Sequence, residues 1–247
     1  MNALSAIAAI VKRAVFFAFA LVAGCAHAAV AVETSRLLLA GQESAVDVYE
    51  PAAPARGFAV IAHGFARSRE QHVVLATRLA EAGFIVAVPD LPHWAQHEAN
   101  ADAIVAVVDA IVAARGLDTL PVVLIGTSAG GLASLLATDR VPRLALWVGL
   151  DPVDTLGQSK RAARKLHAPA MVLRAPAGAC NVGGSARRIV AWLPSWRVER
   201  RIDDASHCDF EDTTNWRCES ICGAADASRQ ALIVAQTVKA ARDAVPD

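Results

Sequence analysis

Short runs of apolar residues alternate with longer amphipathic stretches along most of this chain. Runs that are apolar at consecutive positions are typical of strands buried on both faces of a sheet, whereas the amphipathic stretches are long enough to form helices. The pattern predicts one or two edge strands over residues 36–49 and a last strand over 196–202. It predicts buried strands over 58–62, 84–88, 122–126, 144–150 and 170–174, and helices over 68–82, 97–115, 129–138, 185–193 and 226–244.

This alternation of strands and helices predicts the fold class. Strands separated by helices form a mainly parallel sheet covered by helices, which is an α/β architecture. No repeat or linker interrupts residues 29–247, so we expect a single domain there. The connection from Asp151 to Pro169 is too short for a sizeable cap domain, so we expect an open site at the edge of the sheet.

The first 28 residues differ from the rest of the chain. Their only charges are an adjacent Lys-Arg pair, and the apolar run that follows, residues 14–24, is short for a membrane span. The sequence A-H-A at residues 26–28 provides a cleavage motif, so residues 1–28 are predicted to be a signal peptide that exports the chain to the periplasm or the medium. Two alternatives remain. In the first, the sequence V-A-G-C at residues 22–25 resembles a lipobox, in which a lipid on Cys25 would anchor the chain to a membrane. In the second, the segment is not cleaved and stays on the chain as an N-terminal helix.

Composition narrows the class of partner. The chain has 24 basic and 24 acidic residues, and nucleic-acid binding usually needs a basic excess. No phosphate-binding loop, metal-ligand cluster or C-x-x-C motif occurs in the sequence, so we expect no cofactor, no metal and a small molecule as the partner. Hydrophobic residues make up 55% of the chain. Alanine supplies much of this fraction, which fits a buried sheet and does not indicate a lipid substrate. The sequence does not predict the oligomeric state.

The sequence G-T-S-A-G-G at residues 126–131 is the strongest chemical signal. It fits G-x-S-x-G and lies where a predicted strand gives way to a predicted helix, which is the context of a nucleophile elbow. Glycines two positions on either side of Ser128 allow the strand and the helix to pass close together. The helix N-terminus favours negative charge that develops beside the serine. We therefore predict Ser128 as a nucleophile.

A second motif is H-G-F at residues 63–65. Acyl transfer needs N–H donors aimed at the oxyanion, and we predict that the backbone N–H groups of Ala129 and Phe65 supply them. With these two motifs, the chain from about Arg36 onward resembles the α/β-hydrolases, in which an oxyanion loop precedes the serine and a histidine follows it. The resemblance implies a serine hydrolase. Because His63 precedes the serine, we predict a structural role for it.

The general base is expected after the last predicted strand. His207 lies there, within D-D-A-S-H-C-D-F at residues 203–210, whereas His167 precedes a strand and falls at the wrong end of the sheet. As the base, His207 would take the proton of Ser128 and later return it to the leaving group.

The acid does not follow the usual pattern. In many α/β-hydrolases it follows the strand predicted here over 170–174, but no carboxylate does so in this chain. The preceding strand ends in L-D-P-V-D at residues 150–154, and its D-P-V resembles the chlorophyllase branch of the family. That resemblance implies Asp151 as the acid that orients the base, and it does not imply chlorophyll as the substrate. The alternatives are Asp154, Asp204 and Asp209.

Four cysteines follow the predicted leader: Cys180, Cys208, Cys218 and Cys222. An even number in an exported chain favours disulfides, and three pairings are open. The alternative is a zinc site, but the spacing of these cysteines lacks the paired C-x2-C motifs that are typical of zinc sites. A disulfide through Cys208 would hold the loop of the base. Cys218 and Cys222 would pair locally if their segment is not a regular helix.

Two aromatic residues are candidates for substrate binding. Trp94 follows the predicted strand over 84–88, and Phe65 lies in the oxyanion loop, so both fall at the same edge of the sheet as Ser128. They are predicted either to line an apolar acyl or alcohol pocket or to pack under a loop.

Two classes of function fit these residues. The first is a carboxylic-ester hydrolase that works through an acyl-enzyme, and peptidases, thioesterases and acyltransferases use the same machinery. The second is a non-catalytic envelope protein that keeps the fold as a binding scaffold, because a fold does not guarantee chemistry. The set of Ser128, His207 and a nearby acid favours the enzyme. The missing carboxylate after residues 170–174 favours the scaffold.

Overall fold

The computed structural model describes residues 29–246. The predicted signal peptide, with Cys25 and its lipobox alternative, lies outside the described residues. Within them, no helix is both long enough and apolar enough to span a bilayer.

Within residues 29–246, eight strands form one sheet in the order β1-β2-β4-β3-β5-β6-β7-β8. The first two strands pair antiparallel with each other, and β2 pairs antiparallel with β4, whereas every other pairing is parallel. The strands are β1 (Ala31–Leu39), β2 (Gln42–Glu50), β3 (Gly57–Ala62), β4 (Phe84–Pro89), β5 (Val122–Thr127), β6 (Leu144–Leu150), β7 (Ala170–Arg174) and β8 (Arg197–Arg201).

The position of each strand in the sheet explains its sequence. The central strands β3, β4 and β5 are buried along their whole length, because helices cover both faces of the sheet and consecutive side chains therefore need to be apolar. The last strand, β8, is an edge strand whose five residues are all exposed and mostly charged. Charged side chains at an edge disfavour pairing with another sheet.

The described residues form seven α-helices, and six of them cover the two faces of the sheet. Helices α2 to α5 contribute to the core on one face, and α1 and α7 contribute to the core on the other. The helices are α1 (Val73–Glu81), α2 (His97–Arg115), α3 (Ala129–Ala137), α4 (Ser159–Lys165), α5 (Ala186–Trp192), α6 (Trp216–Cys222) and α7 (Ala227–Ala244). The predicted fold class is therefore confirmed: the described residues form a single domain with a mostly parallel sheet and flanking helices.

Three local predictions differ from the structure. Residues 68–82 begin as a 3-10 helix, Arg69–His72, before α1 starts. Helix α4 forms within the connection from Asp151 to Pro169, where the sequence pattern predicted no helix, because Ala162 and Ala163 pack into the core although the segment lacks an apolar stripe. Helix α6 forms between the predicted strand over 196–202 and the predicted helix over 226–244, where the sequence pattern predicted no helix, and none of its residues is buried.

His72 gives the fold a pH dependence. Its side chain is fully buried, and neither ring nitrogen has a hydrogen-bond partner among the described residues. Burial lowers the pKa of His72 to about 3 from its usual 6.5. Between these values the unfolded chain binds a proton that the folded protein excludes, so each pH unit below 6.5 costs about 1.4 kcal/mol of stability.

We expect the free energy of unfolding to fall by roughly 2 kcal/mol less in His72→Leu than in the wild type between pH 7 and pH 5. Urea unfolding of both proteins at the two pH values measures this difference. All other titrating groups are common to the two proteins and cancel in the comparison. An equal loss of stability in both proteins would contradict the assignment.

Candidate active site

Ser128 lies on a tight turn between β5 and α3. Its backbone has φ of +55°, a left-handed conformation that is costly for a residue with a side chain. The turn is possible because the strand and the helix cross closely: a Cβ on Gly126 would collide with the backbone of Gly130, and a Cβ on Gly130 would collide with the carbonyls of β3 and His63. The sequence therefore places glycine where only glycine fits.

Three predicted site residues meet at the carboxyl edge of the sheet. The Nε2 atom of His207 lies 2.9 Å from the Oγ of Ser128, and its Nδ1 lies 2.7 Å from Oδ2 of Asp151. A carboxylate can only accept, so Nδ1 carries the proton and Nε2 is left to accept from the serine hydroxyl. The resulting chain of hydrogen bonds runs from the carboxylate through the imidazole to the hydroxyl.

Asp151 follows β6 directly and is fully buried. Its Oδ1 accepts from the backbone N–H of Ala175 at 3.1 Å, and its Oδ2 accepts from Nδ2 of Asn181 at 3.1 Å as well as from His207. These hydrogen bonds offset the free-energy cost of removing the carboxylate from water. Sequence reasoning missed Asn181. Its signal was its position in the loop after β7, where the resemblance to the α/β-hydrolases led us to look for an acid.

The three alternative acids have other surroundings. Asp154 accepts hydrogen bonds from Leu156, Gln158 and Ser159 near the start of α4. Burial alone would raise the pKa of Asp154, but these hydrogen bonds have the larger effect and the pKa is lowered. Asp209 forms an ion pair with Arg229 at 2.7 Å. Asp204 is exposed. The structure thus brings Asp151, of the four carboxylates, into hydrogen-bonding contact with His207.

His207 begins a 3-10 helix, His207–Phe210, that is anchored on several sides. The next residue, Cys208, is fully buried and forms a disulfide. Asp209 is buried as well and accepts from the backbone N–H groups of Ser206, at 2.7 Å, and Asp226, at 2.6 Å. The anchored neighbours hold the imidazole in place.

The predicted oxyanion loop lies beside the serine. A Cβ on Gly64 would be 3.1 Å from the Cβ of Ser128, so the backbone of the loop passes directly against the side chain. Ala129 is the first residue of α3, where backbone N–H groups have no acceptor within the helix. The loop and the helix start therefore border the same space next to Ser128.

The hydrogen bonds of His63 fit the structural role that was predicted for it. It is buried, its Nε2 accepts from the backbone N–H of Leu91 at 2.8 Å, and its Nδ1 donates to the carbonyl of Gly64 at 2.9 Å. Burial lowers the pKa of His63 and keeps the ring neutral. In a trans peptide the carbonyl and the next N–H point in opposite directions, so the bond to Gly64 also fixes the direction of the Phe65 N–H.

An ion pair that the sequence did not reveal joins the oxyanion loop to the segment after His207. The Nε atom of Arg67 lies 2.9 Å and 2.8 Å from the two carboxylate oxygens of Glu211, and Nη2 also donates to Oε2. Both side chains are nearly buried. Burial raises the pKa of Glu211, and the charge and hydrogen bonds of Arg67 offset part of that effect. Such a bidentate contact fixes the position of the oxyanion loop relative to the segment after His207.

Two disulfides hold α6 against the site. Cys180 pairs with Cys222 at a Cα separation of 5.4 Å, and Cys208 pairs with Cys218 at 6.4 Å. The prediction that a disulfide through Cys208 holds the loop of His207 is confirmed by the Cys208–Cys218 disulfide. Local pairing of Cys218 with Cys222 is wrong, because their segment is helical and side chains one turn apart point side by side. The sulfurs of Cys208, Cys218 and Cys222 lie within 4.8 Å of one another, but each is in a disulfide and offers no thiolate to a metal.

Removal of the Cys180–Cys222 disulfide is expected to lower stability and activity together. This disulfide closes 42 residues, and losing such a crosslink costs roughly 2–5 kcal/mol. It also loosens the loop that carries Asn181, so we expect a lower kcat. Urea unfolding and ester turnover of the double variant Cys180→Ser/Cys222→Ser measure both effects. As a control, dithiothreitol should destabilise the wild type more than the variant. A variant as stable and active as the wild type would contradict the prediction.

Phe65 and Trp94 meet at the edge of the site. Their ring centroids are 6.1 Å apart in an edge-to-face arrangement, and the two side chains are 54% and 71% exposed. They therefore flank an open surface and are not packed beneath a loop. A separate groove of about 1080 Å³ lies between α1 and α7, and none of Ser128, Asp151 and His207 lines it.

Comparison with known proteins identifies the fold. No protein-family model and no curated protein matches the chain. Among solved structures, dienelactone hydrolase from Anabaena variabilis matches with a TM-score of 0.70 and 17% identity, over 85% of this chain and 96% of that one. The protein TT1662 from Thermus thermophilus matches with a TM-score of 0.63 and 16% identity, over 88% of this chain and 99% of that one.

A third structure is XC6422 from Xanthomonas campestris, described as an α/β serine hydrolase without a lid. It matches with a TM-score of 0.62 and 17% identity, over 87% of this chain and 93% of that one. Identities of this size establish a shared fold. The chain therefore has the α/β-hydrolase fold, as its sequence motifs predicted.

Proposed function

We propose that this protein is a serine hydrolase that cleaves carboxylic esters through an acyl-enzyme, with Ser128 as nucleophile, His207 as general base and Asp151 as the acid that orients it. One observation carries the proposal. Ser128, His207 and Asp151 form a continuous chain of hydrogen bonds of 2.9 Å and 2.7 Å at the edge of the sheet. That arrangement is the one acyl transfer by a serine requires.

In the first half of the reaction, the Oγ of Ser128 attacks the ester carbonyl while Nε2 of His207 takes its proton. The tetrahedral intermediate then collapses, and the alcohol leaves with that proton. Asp151 keeps the imidazole in the reactive tautomer and stabilises its positive charge. The products of this half are a free alcohol and an acyl ester on Ser128.

In the second half, water attacks the acyl-enzyme. His207 takes one proton from the water and returns it to Ser128 as the carboxylic acid is released. The backbone N–H groups of Ala129 and Phe65 stabilise the oxyanion in both halves. The bond between His63 and Gly64 supports this role because it fixes the peptide that bears the Phe65 N–H.

The proposal of an ester rests on the surroundings of Ser128. The apolar rings of Phe65 and Trp94 flank the site and suit an acyl or alcohol group. The main argument for a binding scaffold was the lack of an acid after β7. The buried carboxylate of Asp151, which bonds to His207, supports an enzyme instead.

Hydrolysis of p-nitrophenyl esters from acetate to palmitate tests the proposal, with matched p-nitroanilides and thioesters beside them. We expect turnover of esters, and the dependence on acyl length then defines the substrate-binding surface. Faster cleavage of anilides than of esters would favour a peptidase. No turnover of any ester would favour the non-catalytic scaffold.

We further propose that residues 1–28 are a cleaved signal peptide and that the domain spans 29–247 in an exported, oxidising compartment. The two disulfides among the described residues support export, because such bonds persist in oxidising compartments. N-terminal sequencing of protein from the native host tests this, with Ala29 as the expected first residue. A lipid-modified Cys25 at the N-terminus would contradict it.

A further inference from the structure

The loop between β7 and α5 is built around the side chain of Asn181, which is 2% exposed. Its Oδ1 accepts from the backbone N–H groups of Gly178 and Gly184, both at 2.8 Å. Its Nδ2 donates to the carbonyl of Pro176 at 2.7 Å and to Oδ2 of Asp151 at 3.1 Å. An amide side chain has two donor hydrogens and two acceptor lone pairs, so every hydrogen-bonding position of Asn181 is used.

These partners fix which way round the amide lies. Exchanging its oxygen and nitrogen would point the NH₂ group at two backbone N–H groups, and the oxygen at a carbonyl and a carboxylate. Asp151 therefore faces a donor. A carboxylate at position 181 could accept from Gly178 and Gly184 in the same way, but it would place a second negative charge beside Asp151.

The backbone of this loop is strained next to Asn181. Val182 has φ of +51°, in the left-handed region that is unfavourable for a β-branched residue. Gly183 and Gly184 follow with φ of +64° and +80°, and the N–H of Ser185 donates to the backbone carbonyl of Asn181 at 2.8 Å. Strain persists where the surrounding contacts impose it, and it is common at functional sites. Here the strained turn directly follows the residue whose side chain reaches Asp151.

The carboxylate of Asp151 has three donors, and they differ in what they can do. Oδ1 accepts from the N–H of Ala175, and Oδ2 accepts from Asn181 and from Nδ1 of His207. Ala175 and Asn181 each bond to a different oxygen, so together they fix the rotation of the carboxylate about its Cβ–Cγ bond. His207 cannot provide that second fixed point, because it is the group that the carboxylate has to orient.

We propose that Asn181 is a positioning residue: it holds Oδ2 of Asp151 toward His207 and thereby aligns the imidazole with Ser128. This role rests on the hydrolase function proposed above, since it concerns the same site. Asn181 acts through Asp151 and not on the substrate, because all of its polar atoms are engaged within the protein. The loop after β7, where an acid was expected, thus supplies a donor to the acid that follows β6.

Asn181→Asp tests this role, because it removes the donor and keeps the two bonds from Gly178 and Gly184. We expect kcat for p-nitrophenyl butyrate to fall about 10- to 100-fold, as for the loss of one hydrogen bond to a charged group, with KM nearly unchanged. The matched control is Asn215→Asp, which makes the same substitution at the exposed N-cap of α6 and keeps the bond from the N–H of Cys218. It should keep the wild-type kcat.

A double-mutant cycle separates positioning from a merely structural role. In Asp151→Asn no carboxylate is left to orient, and the new amide can donate to the new carboxylate, so adding Asn181→Asp should cause no further loss of kcat. A structural role would lower kcat by the same factor in both backgrounds. Urea unfolding shows whether each variant is folded. If Asn181→Asp does not fold, Asn181→Ala takes its place in the cycle, because the adjacent Cys180–Cys222 disulfide still holds the loop.

The outcomes separate the two proposals. A loss of kcat confined to the background that retains Asp151 supports the role of Asn181. Equal losses in both backgrounds, an unchanged kcat, or a change in KM alone overturns that role and leaves the proposed function in place. No turnover of any ester by the wild type overturns the proposed function, and the role of Asn181 with it.

Discussion

Ser128→Ala is expected to lower kcat for p-nitrophenyl butyrate by about 10³-fold or more, because it removes the hydroxyl that would form the acyl-enzyme. The substitution removes the Oγ that lies 2.9 Å from Nε2 of His207. Alanine keeps the Cβ that packs against Gly64, so the fold and the oxyanion loop should persist. Stopped-time assays of purified wild type and variant at saturating ester measure the effect.

The matched control is Ser228→Ala, which makes the same substitution at an exposed serine at the start of α7. We expect it to keep the wild-type kcat. Retention of most of the activity by Ser128→Ala would show that another residue is the nucleophile.

The second large effect is expected for Asp151→Asn, with a loss of about 10³- to 10⁴-fold in kcat. The amide retains the volume of the carboxylate, but its NH₂ group can turn toward Nδ1 of His207 and donate to it. The imidazole then takes the tautomer with its proton on Nε2, which cannot accept from Ser128. The side chain also loses the charge that stabilises the imidazolium.

Asp154→Asn is the control, because the sequence analysis left Asp154 as an alternative to Asp151 for the acid. Asp154 bonds to residues 156–159 and has no bond to His207, so its amide should reduce stability with little change in kcat. Measuring kcat and the free energy of unfolding for both variants gives the comparison. A larger loss of kcat in Asp154→Asn than in Asp151→Asn would reassign the acid.

The sequence predicted features whose causes are local. The central strands could be located because both of their faces are buried and nearly every residue is apolar. The turn at Ser128 could be located because two glycines are needed where the strand and the helix cross. Asp151 could be chosen because it directly follows the predicted strand over 144–150 and because its D-P-V motif resembles the chlorophyllase branch of the α/β-hydrolases.

The features that the sequence did not predict depend on contacts between distant segments. Arg67 and Glu211 are separated by 144 positions, and neither residue type indicates a partner. The partner of Cys222 depends on α6 being a helix, and α6 has no apolar core face to reveal it. Asn181 takes part because the disulfide loop carries it to Asp151, which no pattern of neighbouring residues encodes.

Reaction with a fluorophosphonate probe tests the central claim most directly, because the probe bonds to a serine only when a base and an oxyanion hole activate it. Intact-mass spectrometry of the treated protein, followed by peptide mapping, would identify the modified residue. The proposal predicts a single adduct on Ser128 in folded wild type, and none after unfolding or in His207→Ala. No adduct on the folded protein, or an adduct on a different residue, would contradict it.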